Sequence, residues 1–289
     1  MLPFRQILFP VDYSEPCREV VPYVRDMIRH FSAGITLVHA SGLGLEVLGY
    51  NELTITDPNW QKESRASEEK RLRDFAAEMF PSQHVESIVE AGDAASVIHR
   101  VVQHQGADLV MLPTHGRGPV RRFLLGSVTA KLLHDLTTLV WTGVQSALAE
   151  HRPGAPYHSI VCALENDEES EAVLRAAAAF ADSYGAQLSL VHVVETPPGA
   201  VEIDFAVYKK LLMDTADHRL WELKRTLGLD IRHTVIDASP TANGVRQAAV
   251  EKKADLVIVG RGHAQDAFGR LWSRLYSIVR ESPCPVLSI

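Results

Sequence analysis

The chain alternates short apolar runs with longer amphipathic stretches. Ile7-Leu8-Phe9-Pro10-Val11-Asp12 is an apolar run closed by an acid, and Tyr13-Ser14-Glu15-Pro16 reads as a turn. From about Cys17 to Phe31 the residues Val20, Val21, Val24, Met27 and Ile28 recur at helical spacing. Gly34 punctuates, and Ile35 to Ala40 reads as a second strand. Between 41 and 66, Gly42, Gly44, Gly49 and Asp57-Pro58 predict a loop with little regular structure. A charged helix is expected from about Arg65 to Met79, then a strand from Val85 to Glu90 and a helix from about Ala95 to Gln105. Leu109 to Leu112 is a buried strand, Val128 to Leu136 a helix and Thr137 to Thr142 a last strand.

From about Val144 to Tyr157 the pattern lapses, and His151-Arg152-Pro153-Gly154-Ala155-Pro156 suits a linker. Then the chain starts again. Ile160-Val161-Cys162-Ala163-Leu164-Glu165 copies Ile7 to Asp12, and Gln187 to His192 copies Gly34 to His39, both at an offset of 153. Ala254 to Val259 copies Ala107 to Leu112, and Pro285-Val286-Leu287 copies Thr138-Leu139-Val140, both at an offset of 147. Matching segments in order with one gap mean an internal duplication. The expected architecture is α/β: two tandem doubly wound domains, each a mostly parallel five-stranded sheet with helices on both faces. The boundaries expected are 1–147, a linker at 148–157, and 158–289.

In such sheets ligands sit beyond the carboxyl ends of the strands, where the strand order reverses. That rule gathers Asp12, the end of the His39 strand and the segment Pro113 to Ser127 around one crevice. In that segment an apolar strand ends in Thr114-His115-Gly116-Arg117-Gly118, a basic stretch with Arg121 and Arg122 follows, and Gly126-Ser127-Val128 opens the next helix. A strand feeding a glycine loop and a helix N-terminus is an anion site, because backbone N–H groups and the positive end of the helix dipole point the same way.

Composition narrows the function. The 289 residues are 46% hydrophobic and 22% charged, enough for two sizeable cores, and the net charge of −7 disfavours nucleic-acid or anionic-membrane binding. No leader pattern and no membrane-length apolar run are read, and Cys17, Cys162 and Cys284 are too scattered for a disulfide framework or a zinc site, so a reducing cytoplasm is expected. They read as core or surface residues. Neither a P-loop signature nor a hydrolase elbow occurs.

Ile7 to Ser14, Leu37-Val38-His39, Ala107 to Met111, Thr114-His115-Gly116-Arg117 and Leu124 to Val128 together resemble the universal stress protein family, with two such domains in one chain. ATP-binding members carry Gly-x-x-Gly, nine residues, then Gly-Ser or Gly-Thr. Here nine residues separate Gly116 from Gly126-Ser127. The resemblance implies a 3-2-1-4-5 strand order. It implies ATP or a related adenine nucleotide as ligand, with Mg as an option. Pro10 and Asp12 would sit by the adenosine and Ala40 near the base. Pro113, Gly116, Arg117, Gly126, Ser127 and Val128 would lie along ribose and phosphates, with Ser127 both capping its helix and binding a phosphate oxygen. Family members pair through the last strand. The two halves are therefore expected to pair within the chain through Leu139-Val140 and Val286-Leu287, with a further homodimer as an option.

Two departures bear on this. Pro113 stands where the first motif glycine belongs, without an N–H and with φ near roughly −65°. In the second half Gly260 keeps the first glycine, but His263, Ser273 and Arg274 replace the second glycine, Gly126 and Ser127; Glu165 replaces Asp12 and Ala163 replaces Pro10. No ATP is expected there in the ordinary mode. His39 and His192 read as structural hydrogen-bonding residues, and His115 as loop packing. No catalytic residue is assigned. The reading is a nucleotide-binding regulatory protein in stress, working through protein partners the sequence leaves unknown. Its alternatives are an interaction scaffold or binder of a different ligand, and a slow ATPase.

Overall fold

A computed structural model describes residues 2–42, 58–116, 125–143, 156–165, 167–195, 205–261 and 270–289; at 58–61, 205 and 270–273 it describes the backbone only. The predicted Arg117, Arg121, Arg122 and His263, the loop glycines at 44 and 49 and most of the expected linker lie outside these residues. One compact unit comprises Pro3–Arg122 with Gly126–Val140, and the other chiefly Trp141–Ile289.

The first repeat runs β1 (Gln6–Pro10), α1 (Glu15–Phe31), β2 (Gly34–Ser41), α2 (Pro58–Met79), β3 (Val85–Ala91), α3 (Ala94–Gln105), β4 (Leu109–Leu112), α4 (Ser127–Asp135), β5 (Leu139–Thr142). Its strands lie in the order β3-β2-β1-β4-β5. The β1–β2, β1–β4 and β2–β3 pairs are parallel, with Ile7 opposite both Ile35 and Leu109. The order reverses between β1 and β4. Ile7, Leu8, Phe9 and all of β4 are buried, as strands covered on both faces must be. The edge strand β3 is mostly part-exposed.

The second repeat runs β6 (Ser159–Leu164), α5 (Ser170–Tyr184), β7 (Gln187–Val194), α6 (Phe205–Leu227), β8 (Arg232–Asp237), α7 (Thr241–Glu251), β9 (Leu256–Val259), α8 (Arg270–Glu281), β10 (Val286–Ser288). The order β8-β7-β6-β9-β10 repeats the first, again with parallel pairs. Among the described residues no helix is long and apolar enough to cross a membrane.

The duplication extends to single hydrogen bonds. Asp108 Oδ2 accepts from the backbone N–H of Arg5 at 2.6 Å and of Gln6 at 3.0 Å. Asp255 Oδ2 accepts likewise from His158 at 2.7 Å and Ser159 at 2.8 Å. Each Ala-Asp-Leu motif thus anchors the start of its central strand. Each sheet also has a histidine bridge: Nδ1 of His39 donates to the Val11 carbonyl at 2.6 Å, and Nδ1 of His192 to the Leu164 carbonyl at 2.8 Å. Both histidines make the inter-strand hydrogen bond that the pattern suggested. All three cysteines are free and buried, and burial pushes each thiol up to about 12.

Two expectations need correction. The charged helix begins at Pro58, not near Arg65. Residues 62–67 are exposed, so this first part has no apolar face to show in the sequence. Ser127 does not cap α4. Gly126 holds the N-cap with extended φ −60° and ψ 143°, and Ser127 is the first helical residue.

Candidate functional site

The first crevice is built at the carboxyl ends of β1 and β4. Just past β1, the Val11 N–H donates to the Val38 carbonyl at 2.8 Å, so the ladder ends one residue before Asp12. Asp12 Oδ1 accepts from the Ser14 N–H at 3.0 Å and the Ser14 hydroxyl at 2.6 Å. The same hydroxyl accepts from the Cys17 N–H at 3.3 Å and so caps α1. One carboxylate oxygen thereby fixes the turn, and the other faces the glycine loop. A Cβ built on Gly116 collides with Asp12 Oδ2, so only glycine lets the loop approach this closely.

The loop is braced from below. The Gly126 N–H donates to the Thr114 carbonyl at 2.8 Å, and the Thr129 hydroxyl to the Pro113 carbonyl at 3.0 Å. A Cβ on Gly126 would stand 3.3 Å from both the Thr114 carbonyl oxygen and the His115 Cα. The first helical bond of α4 runs from Ala130 N–H to Gly126 O at 2.8 Å, so the amides of Ser127, Val128 and Thr129 precede it. Ser14 and Asp93 each accept from a first-turn amide of α1 and α3 through their side chains; Gly126 brings none to α4. The result is a helix N-terminus opening on solvent beside two close-packed glycines, with Ser127 exposed at its mouth. At both Gly116 and Gly126 an added Cβ would meet atoms of the chain itself, so the two glycines let Asp12, the loop and the start of α4 pack this closely.

Of the predicted residues, Asp12 and Gly116 meet directly, and Pro113, Gly126, Ser127 and Val128 frame the same loop and helix start. Pro10 ends β1 opposite Val38, and Ala40 lies in the last turn of pleat of β2 beside His39. Arg117 lies outside the described residues. His115 Nδ1 sits 3.1 Å from the Thr114 hydroxyl, consistent with loop packing.

The pattern missed the wall formed by Tyr13 and α2. Tyr13 has φ 62°, and its ring packs 4.8 Å from His39 and 5.6 Å from Phe75, with the Arg71 guanidinium 4.0 Å from the ring centroid. His39 Nε2 lies 3.4 Å from Glu68 Oε2. The signal available was an aromatic residue directly after the strand-ending acid.

The second crevice has the same frame and different contents. Glu165 follows β6, and Arg274 takes the place of Ser127 on α8. Arg274 Nη1 lies 3.6 Å from Glu165 Oε2, and Nη2 donates to Glu195 Oε2 at 3.3 Å. Glu195 Oε1 also accepts from Thr241 N–H at 2.6 Å and from the Thr241 hydroxyl. Burial pushes the Glu165 carboxyl up, with Arg274 opposing and Asp167 and Glu195 adding to the rise. Burial would push Glu195 up too, but the Thr241 bonds and Arg274 outweigh it and hold Glu195 low. Burial also holds His192 below its ordinary value, with Arg219 and Arg274 acting the same way against its Leu164 bond. Arg261, which follows Gly260, donates to the Ser288 hydroxyl at 3.2 Å, and burial lowers its pKa to about 10. Glu195, Thr241 and Arg261 were not singled out by sequence.

Known proteins match both halves. The sequence model of the universal stress protein family fits residues 3–142 and again 156–289. A universal stress protein from Thermus aquaticus, encoded in a QAH/OAS sulfhydrylase 3′ region, is 28% identical over 135 residues, 46% of this chain and 98% of that protein. Universal stress protein A of Escherichia coli strain K12 is 28% identical over 129 residues, 43% of this chain and 85% of that one. A solved universal stress protein from Archaeoglobus fulgidus DSM 4304 shares the fold with a TM-score of 0.68, over 98% of this chain and 95% of that one, at 18% identity.

Proposed function

The chain belongs to the universal stress protein family, and from that premise we propose that its first half binds an adenine nucleotide, ATP foremost, and thereby tunes contacts with other proteins under stress. The second half serves mainly as structure. The observation that carries the reading is the close approach of Gly116 to Asp12 beside a helix start whose N-cap, Gly126, brings no capping side chain. Asp12 offers a carboxylate oxygen to a ribose hydroxyl or base amine. The amides of Ser127 and Val128 and the Ser127 hydroxyl offer donors to phosphate oxygens. Ala40 would border the base, and Pro10 and Pro113 the ribose. A nucleotide there brings its own Mg where it needs one.

The chemistry stops at binding. Slow ATP hydrolysis is the lesser alternative, because among the described residues no side chain near the loop is positioned as a general base. Pro113 favours one second reading, a scaffold or a binder of another ligand, because it removes an amide from the loop. The test is direct. Purified full-length chain is denatured and its small molecules identified by mass spectrometry, and ATP binding is followed by calorimetry for the wild type and Gly126→Asp. Co-purifying adenine nucleotide and loss of binding in the variant are expected. A chain that neither carries nor takes up adenine nucleotide sinks the proposal and leaves the scaffold.

A further inference from the structure

The second crevice is occupied by the protein itself. The Arg274 guanidinium from α8 reaches between Glu165, past the end of β6, and Glu195, past the end of β7. Glu195 is anchored in turn to the first residue of α7 through Thr241. What remains is a cleft of about 50 Å³ between Glu165, His192, Thr241, Gly260, Arg261 and Arg274. That space suits a water or two and no nucleotide. The charged side chains that line it are Glu165, Arg261 and Arg274, with Glu195 reaching Arg274 from beside it.

The closure is reversible in character. The side chains of Glu165, Glu195 and Arg274 keep 33%, 32% and 38% of their surface in water. Ion pairs that wet contribute little each and exchange readily. The two carboxylates also differ. Glu195 accepts two hydrogen bonds from Thr241 as well as one from Arg274 at 3.3 Å, whereas Glu165 meets Arg274 at the longer distance of 3.6 Å.

We infer that Arg274 is a latch that closes the second crevice as a tethered occupant, and that its release from Glu165 turns the crevice into a site for a small dianion held by Arg274 and Arg261. The groups facing Glu165 come from every element around it: Arg274 of α8, Glu195 after β7, Asp167 in the loop after β6, His192 within β7, itself near Arg219 of α6, and Arg261 after β9. Burial already pushes the Glu165 carboxyl up, whereas Glu195 is held low. Acid therefore neutralises Glu165 first. The cleft wall then keeps the guanidinium groups of Arg274 and Arg261 while its own carboxylate, Glu165, is neutral, and its preference turns to anions. The inference is independent of what the first half binds.

Sulfate is the probe, because it keeps two charges across the whole pH range used. Hydrogen–deuterium exchange of the full chain is compared with and without sulfate, at matched ionic strength, in peptides covering 256–261 and 274–281. In Glu165→Gln at about pH 7.5, sulfate is expected to slow exchange in both peptides by at least about threefold, with no effect on the wild type. As the pH is lowered toward the ordinary carboxylate range the wild type is expected to come to respond as the variant does, and Arg274→Ala to lose the response. The wild-type pH arm stands even if a variant folds poorly. Equal protection of the wild type throughout this pH range, no protection of either protein, or full protection of Arg274→Ala each overturns the latch.

Discussion

The backbone of Gly116 lies so close to the Asp12 carboxylate that a single added methyl carbon would strike Oδ2. The two residues stand at the ends of β4 and β1, the pair between which the strand order reverses. A loop glycine and a strand-ending acid thus act as one unit, and replacing either changes the other.

Gly116→Ala should therefore push the loop off Asp12 or swing the carboxylate away from Ser14. Overpacking of this kind costs about 1–3 kcal/mol. We expect ATP affinity to fall at least about tenfold, which corresponds to about 1.4 kcal/mol, with the second half unaffected. Calorimetry with ATP, beside hydrogen exchange of 159–164, checks both parts. Unchanged affinity would separate this contact from ligand binding.

Asp108→Ala and Asp255→Ala should act alike on opposite halves. Each removes an acceptor for two backbone amides. Hydrogen bonds to a charged group are worth about 1.5–3 kcal/mol each, and water recovers part of that at these exposed strand starts. A loss of about 2–3 kcal/mol in the affected half is expected. Faster exchange confined to 5–10 in one variant and to 158–164 in the other would confirm the duplication energetically; global loosening in both would refute it.

Acid and base should act on the second half through different residues. The folded-state pKa of Glu165 is raised by burial, so its contribution is fully present below the ordinary value of 4.5 and is lost as pH rises through the folded value. Glu165→Gln should therefore be neutral or stabilising at pH 7, with the difference closing below about pH 4. His192 is shifted the other way. Its contribution is present above the ordinary value of 6.5 and is lost as pH falls through the lowered folded value. Urea unfolding of the wild type, Glu165→Gln and His192→Gln across this window checks both signs.

The three thiols should be inert in the native chain. Cys17, Cys162 and Cys284 are buried, and their thiols are pushed up to about 12, so almost no thiolate exists near neutral pH. An aromatic disulfide reagent at about pH 8 should label none of them until denaturant is added. Rapid labelling of the folded chain would contradict the burial.

Much of this was legible because parallel strands covered on both faces leave continuous apolar runs. Ile7 to Val11 and Leu109 to Leu112 stood out for that reason, and so did their copies. Helix α2 was misjudged at its start, since residues 62–67 meet only water and carry no apolar spacing. The cap of α4 was misassigned because the preference for serine at helix starts says nothing of whether the preceding glycine already holds the extended geometry. Arg274 could be aligned with Ser127, but its partners could not be read. Glu165 and Glu195 approach it from two different strand ends, 109 and 79 residues earlier. Tyr13 hid for a related reason: its partners on β2 and α2 are set by the fold alone.

The Asp108 anchor has a further consequence for how the chain reaches its folded form. The amides it holds belong to Arg5 and Gln6, separated from it by 103 and 102 positions. The innermost strand of the first half is thus synthesised before the other strands of that half and is among the last to be secured. Closing a loop of that length is entropically slow, and until Asp108 arrives β1 has an open edge on its β4 side. A chain halted before β4 leaves the buried Ile7, Leu8 and Phe9 of β1 uncovered on that side, so the span from synthesis of β1 to synthesis of Asp108 is when this half most needs a chaperone.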